Sequence, residues 1–243
     1  VASCMGPIIP PSIPFIIYGV AANVSVGALF LGGVLPGLLL GFTLMAYMYY
    51  VARKRGYPTD PKTPTRDVLV AAGKAIPALF MPVVIMGGIL SGMFTPTEAA
   101  GVTVIYAVLV GAFFYRKLKW NRMPKVLLQA GLESGMVMLL IALSERFSWI
   151  VAADQIPQIL IDWISKLTTS PYAILLLINV FLLVLGIPIE TAPGIVIVTP
   201  VLAPIAATMG IDPVHIGIVI CLNLVLGLVT PPVGTVLFAV CGV

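Results

Sequence analysis

The amino-acid sequence predicts an all-α integral membrane protein, and three observations carry that prediction. Of 243 residues, 60% are hydrophobic and 9% charged, and the mean hydropathy is +1.14; a soluble domain carries about 25% charged residues. Such a chain cannot supply a polar coat, so lipid must cover much of it. Apolar runs also reach the roughly 20 residues that a spanning helix needs. Finally, several apolar stretches are interrupted by Gly and Pro, a pointer to carriers whose sites lie at broken helices.

Taken in order, spanning helices are expected at about 27–52, 77–93, 98–116 and 134–152. Tyr57-Pro58 to Pro64 reads as a polar, Pro-rich loop and Asp67–Ala75 as a short amphipathic piece. Pro96-Thr97-Glu98 reads as a helix start with acid in its first turn. Met123–Leu132 and Asp154–Leu167 are expected to be interfacial helices. Trp120, Trp149 and Trp163 fall at or near these boundaries, where an aromatic belt belongs. Glu145 and Arg146 interrupt the fourth span; neighbours in a helix do not face each other, so they mark a local break or an inward contact. Val1 stands where a start Met would, and an apolar run continues to Val243, so a fragment cut at both ends is expected.

Three further stretches do not read as ordinary spans. They are Gly6-Pro7-Ile8-Ile9-Pro10-Pro11-Ser12-Ile13-Pro14, Gly186-Ile187-Pro188-Ile189-Glu190-Thr191-Ala192-Pro193-Gly194, and Gly227-Leu228-Val229-Thr230-Pro231-Pro232-Val233-Gly234-Thr235. Proline removes a donor and clashes with the preceding turn, so adjacent prolines should break a helix. Broken backbone at membrane depth survives only where protein or a water-filled cavity satisfies it. The first and third stretches align with each other: Gly6 falls on Gly227, Pro10 on Pro231 and Pro11 on Pro232.

Charge placement sets orientation. Of 13 Lys and Arg residues, 11 fall in two clusters, Arg53, Lys54, Arg55, Lys62, Arg66, Lys74 and Arg116, Lys117, Lys119, Arg122, Lys125. Beside apolar spans these mark cytoplasmic ends rather than a nucleic-acid surface. The Pro10-Pro11 segment then runs outward, and 77–93 and 98–116 go out and back. Segment 134–152 runs out, and Pro171–Leu185 with Ile195–Met209 returns the chain outside, as two spans or one re-entrant hairpin. The Pro231-Pro232 segment therefore runs inward, antiparallel to its partner, which makes an inverted repeat.

A broken helix presents an N-terminal end that attracts anions and C-terminal carbonyls that ligate a cation. Ser3, Ser12, Thr191, Thr230 and Thr235 lie beside the breaks and could add hydroxyl ligands for a hard cation, or simply bond back to their own helices. Glu190 is the only acid between Asp162 and Asp212. A carboxylate at membrane depth marks a functional site by default; a structural role, accepting N–H groups freed around Pro188 and Pro193, is equally open. His215 is the sole histidine, and Cys4, Cys221 and Cys241 show no CxxC spacing, which argues against a zinc site. No HExxH, GxSxG or GxxxxGK[ST] pattern occurs, so no enzyme activity is expected.

These same stretches resemble the large membrane subunit (M subunit) of tripartite ATP-independent periplasmic, or TRAP, transporters. The likeness is carried by Gly6 to Ser12, Leu31-Gly-Gly-Val-Leu-Pro-Gly37, Gly92-Met-Phe-Thr-Pro-Thr-Glu-Ala-Ala100 and Phe147-Ser-Trp149. It continues through Leu185-Gly-Ile-Pro-Ile-Glu190 to Thr199-Pro200, Asp212-Pro-Val-His215 and Thr230-Pro-Pro-Val-Gly234. The resemblance implies an elevator-type carrier in the bacterial inner membrane, driven by two or more Na⁺ ions. It would import small organic carboxylates of the C4-dicarboxylate or sialic acid class, working with a small membrane subunit (Q-type) and a periplasmic substrate-binding protein (P-type). It implies an unwound transport-domain helix over 1–24, scaffold and arm helices over 25–133, and a second-repeat span with an arm helix over 134–170. An outward-opening hairpin over 171–210 and a second unwound helix over 211–243 complete the pattern. Sodium would be held by Gly6, Ser12, Gly186, Thr191, Gly227, Thr230 and Gly234, and substrate by Ser3, Pro10, Glu190, Thr191, Pro231 and Thr235. A non-transporting assembly subunit and an ion channel are the competing readings.

Overall fold

The computed structural model describes residues 5–57, 64–167 and 170–230. Among the described residues the regular structure is helical throughout: α1 (Ile13–Ala22), α2 (Val26–Arg55), α3 (Thr65–Leu90), α4 (Pro96–Leu109), α5 (Met123–Ala153), α6 (Ile156–Leu167), α7 (Pro171–Gly186), α8 (Thr191–Thr208) and α9 (Pro213–Gly227). A π-helical turn, Val110–Phe114, extends α4, and a 3₁₀ turn, Trp120–Arg122, leads into α5. Among the described residues five stretches are long and apolar enough to cross a membrane: Val26–Arg55, Thr65–Leu90, Pro96–Phe114, Trp120–Ala153 and Thr191–Thr208.

Two boundaries differ from expectation. The amphipathic piece at Asp67–Ala75 and the span at 77–93 are one helix, α3, with Pro77 and Pro82 inside it. Likewise Met123–Leu132 and 134–152 are continuous in α5, which runs through Glu145 and Arg146 without a break. The physical reason is common to both. In lipid an interrupted helix loses hydrogen bonds that water cannot replace, so a proline or a charged pair is absorbed rather than allowed to end the helix. α8 also starts four residues earlier than the expected apolar run, at Thr191, because Glu190 takes the N-cap position and leaves Pro193 within the first turn. The expected start at Pro96 is found, with a capping box in which Thr95 and Glu98 each bond the other's backbone amide at 3.3 and 2.8 Å.

The chain forms two compact units, Val1–Gly37 with Lys125–Val243, and Leu38–Pro124. In the first, α8 packs on α1 and α9, α7 packs on α9, and α6 packs on α8. Its core is built from Phe15, Tyr18, Ile195, Ile216, Ile220 and Leu224, none more than 1% exposed. Tyr18 ties α1 to the start of α9 by donating to the Pro213 carbonyl at 2.9 Å. Its ring lies where a Cβ on Gly217 would stand, 2.1 Å from Cε1, so only glycine fits that crossing. α6 is the most amphipathic of the described helices and exposes Trp163, the character expected of an interfacial helix. In the second unit α3 and α4 pair, and the Tyr106 hydroxyl donates to the Pro77 carbonyl at 2.7 Å.

Candidate functional site

Within the first unit, three interruptions meet at one cavity of about 390 Å³. Its wall takes Gly6, Pro7 and Pro11 from the segment before α1, Glu190, Thr191 and Ala192 from the start of α8, and Leu228 just past the end of α9. Each interruption has a local cause. Residues 6–11 are turns and bends rather than helix, and Ile8 and Ile9 amides both donate to the Met5 carbonyl at 3.1 and 2.9 Å. Ser12 then caps α1: its Oγ accepts from the Phe15 amide at 3.4 Å and donates to the Pro7 carbonyl. α9 stops at Gly227, where the Thr230 amide turns back to the Gly227 carbonyl at 2.9 Å.

The site residues expected from sequence fall into four groups. Gly6, Glu190 and Thr191 line the cavity. Gly186 and Gly227 lie against each other, so closely that a Cβ on Gly227 would stand 2.5 Å from the carbonyl carbon of Gly186. Pro10, Ser12 and Thr230 border the breaks but engage locally: Pro10 is buried beside Pro11, Ser12 caps its helix, and the Thr230 hydroxyl bonds the Leu226 carbonyl at 3.1 Å. Ser3, Pro231, Gly234 and Thr235 lie outside the described residues.

The chemistry of the cavity follows from its walls. The start of α8 brings the positive end of a helix dipole, and the end of α9 brings the negative end. Glu190 is exposed, and its side chain makes no cap hydrogen bond; the freed amides around Pro188 and Pro193 are not what holds it. Thr191 is 7% exposed, and its Oγ1 is buried without a hydrogen-bond partner. An unsatisfied buried hydroxyl costs about 1–3 kcal/mol, which a cation or polar ligand at this position would offset. The cavity thus brings an acid and two opposed helix ends together beside a buried, partnerless hydroxyl, a set that suits a hard cation beside an anionic group. A larger cavity of about 520 Å³ lies around Asp212 and His215. There the Asp212 carboxylate is engaged with the Val214 and His215 amides at 2.8 and 3.2 Å, which leaves less free polar capacity. Among the described residues no group of three His, Cys, Asp or Glu side chains is placed to hold a metal.

Sequence reasoning missed Asn179 and Asn223. The Asn223 amide donates to Asn179 Oδ1 at 2.7 Å and to the Val219 carbonyl at 2.8 Å, and Asn179 donates to the Leu175 carbonyl at 2.7 Å. Asn223 precedes Gly227 by one turn and Asn179 precedes Gly186 by two, so each shares a face with its glycine. The signal was available: a lone amide within an apolar run is costly in a membrane unless it finds a partner.

Fold and cavity together define a multi-pass, helical integral membrane protein with helix interruptions gathered around one cavity. The chain belongs to the family described as the tripartite ATP-independent periplasmic transporter, DctM component, whose model matches residues 1–243. It is 44% identical over 237 residues to the C4-dicarboxylate TRAP transporter large permease protein DctM of Pseudomonas aeruginosa, covering 98% of this chain and 56% of that one. It is 44% identical over 240 residues to the sialic acid TRAP transporter large permease protein SiaM of Vibrio cholerae, again 98% of this chain and 56% of the relative. The isethionate TRAP transporter permease protein DctMQ of Oleidesulfovibrio alaskensis is 42% identical over 243 residues, 100% of this chain and 38% of its own. The chain therefore spans about half the length of the first two of these relatives.

Proposed function

We propose that this chain is the C-terminal part of the large membrane subunit of a sodium-driven carrier, which imports small organic carboxylates across the bacterial inner membrane. The substrate arrives from a periplasmic binding protein, and a small membrane subunit completes the complex. The observation that carries the reading is the partnerless Thr191 hydroxyl beside a cavity bordered by Gly6, Glu190 and Leu228. A cation bound there would gain an oxygen ligand that the fold leaves free, and the α8 N-terminus would face the carboxylate. The transport names of the relatives support the substrate class.

Mechanistically, sodium ordering the turns at Gly6–Pro11 and Leu228–Thr230 completes the pocket before substrate is held. Inward movement of the loaded unit against the remaining helices then carries both across, an elevator step. Each net positive charge moved inward gains about 2.3 kcal/mol per 100 mV. The test is counterflow and uptake in proteoliposomes holding the full-length complex with its binding protein. Uptake should vanish without a sodium gradient, and Thr191→Val should raise the sodium concentration for half-maximal uptake by roughly tenfold, the loss of about 1.4 kcal/mol from one ligand. Sodium-independent uptake, or an unchanged sodium requirement in Thr191→Val, refutes the reading; non-saturating flux makes the protein a channel instead.

A further inference from the structure

The second unit, taken by itself, carries a positive surface that transport does not explain. α3 has 26 residues, about 39 Å at 1.5 Å per residue, well beyond the ~30 Å of bilayer hydrocarbon. Its charged residues, Arg66, Asp67 and Lys74, all lie in its first three turns. The Tyr115 hydroxyl donates to the Lys74 carbonyl at 2.7 Å, which seats the end of the α4 π-turn beside the third turn of α3. From there the chain folds back: Arg116 takes a left-handed conformation (φ 51°), and the Lys117 and Leu118 amides both donate to the Gly111 carbonyl at 3.1 and 3.3 Å. Arg116, Lys117, Lys119 and Arg122 are thereby gathered into one short exposed segment joined to Lys74.

No ion pair neutralises these five cations among the described residues. Asp67 is the one acid on the first turns of α3, while Glu98 sits at the opposite end of α4 in its capping box. Phe113 and Phe114 are 74% and 57% exposed just before the cations, and Trp120 is 66% exposed among them. Exposed apolar rings next to exposed cations, with an amphipathic ring between two of them, suit a phospholipid, whose acyl chains adjoin its phosphate.

We propose that Lys74, Arg116, Lys117, Lys119 and Arg122 form a seat for the phosphate of an anionic inner-leaflet phospholipid, with its acyl chains against Phe113 and Phe114. Positive clusters that merely set insertion topology need only be positive. This one is tied to α3 by a hydrogen bond, has no ion pair among the described residues and is bordered by exposed rings. Arginine adds paired donors that suit a phosphate better than a point charge does.

Native mass spectrometry of the full-length protein, released from micelles of equal phosphatidylglycerol and phosphatidylcholine, tests this without regard to insertion direction. The wild type should retain phosphatidylglycerol selectively. The double substitution Lys117→Gln/Lys119→Gln should lower the ratio of bound anionic to zwitterionic lipid by about fivefold per charge removed, and Lys117→Arg/Lys119→Arg should restore it. Should the glutamine variant fail to fold, a salt titration of the wild type decides, because selectivity carried by these charges must fall as ionic strength rises. Equal retention of both lipids, an unchanged ratio in the glutamine variant, or salt-independent selectivity would overturn the proposal. So would displacement by inorganic phosphate beyond that caused by sodium chloride at the same ionic strength, which would make this a site for a free anion.

Discussion

Thr191 and Glu190 are adjacent in sequence yet differ in how the fold treats them. The Thr191 oxygen is buried without a partner, whereas Glu190 is exposed and makes no cap bond. Their substitutions should therefore separate stability from function. Thr191→Val, nearly isosteric, should leave thermal stability without sodium unchanged or raised, since it removes an unsatisfied hydroxyl. A drop in melting temperature under those conditions would mean that the hydroxyl is bonded after all. Glu190→Gln should shift unfolding by no more than about 0.5 kcal/mol, the usual range for an exposed position without a special contact, so any larger loss of uptake belongs to ligand handling. Both residues were legible in the sequence, because Pro188 and Pro193 bracket them and a lone acid in an apolar stretch is conspicuous. That Thr191 lacks a partner was not legible, since a threonine bonding back to its own helix, as Thr199 does to Ile195 at 2.6 Å, looks the same in one dimension.

At the scale of elements, the crossing of α7 and α9 brings two backbones into direct contact. Gly186 and Gly227 meet backbone to backbone, and Asn179 and Asn223 join the same two helices further from the break. Gly227→Ala places a methyl 2.5 Å from the Gly186 carbonyl carbon, and overpacking of this kind costs about 1–3 kcal/mol, readable as a lowered melting temperature in detergent. For the amide pair, Asn179→Leu and Asn223→Leu should each destabilise by about 1–3 kcal/mol, because each leaves a polar group without its partner. The double variant should recover most of that loss; simple additivity in the cycle would show that the two amides are not coupled. Neither contact could be read from sequence, where each glycine registers only as a helix breaker. The fused helices α3 and α5 teach the converse lesson. Local penalties at Pro77, Glu145 and Arg146 are visible in the sequence, but a membrane makes ending a helix costlier than keeping them.

For the whole molecule, the two units should respond differently to sodium. A ligand that binds only the folded state stabilises by about 2.7 kcal/mol at 100 times its dissociation constant, and the cavity belongs entirely to the unit of Val1–Gly37 and Lys125–Val243. Hydrogen exchange should therefore slow with sodium at residues 5–12, 187–192 and 226–230, with α3 and α4 unchanged. Equal slowing in both units, or none in the first, would remove sodium from this cavity. The lipid seat belongs to the other unit, so phosphatidylglycerol should act on exchange around 111–122 independently of sodium.

The membrane class, the helical character and the interruptions at Gly6–Pro11, Ile187–Glu190 and after Gly227 were determined by the sequence alone, because hydropathy, run length and proline chemistry act over a few neighbouring residues. Only the tertiary structure decided that the turn after Met5, the start of α8 and the end of α9 border the same cavity, and that Gly186 lies on Gly227. Such meetings depend on which helix faces pack across hundreds of residues of chain. No local property of either partner encodes that choice, because close packing is a property of the pair.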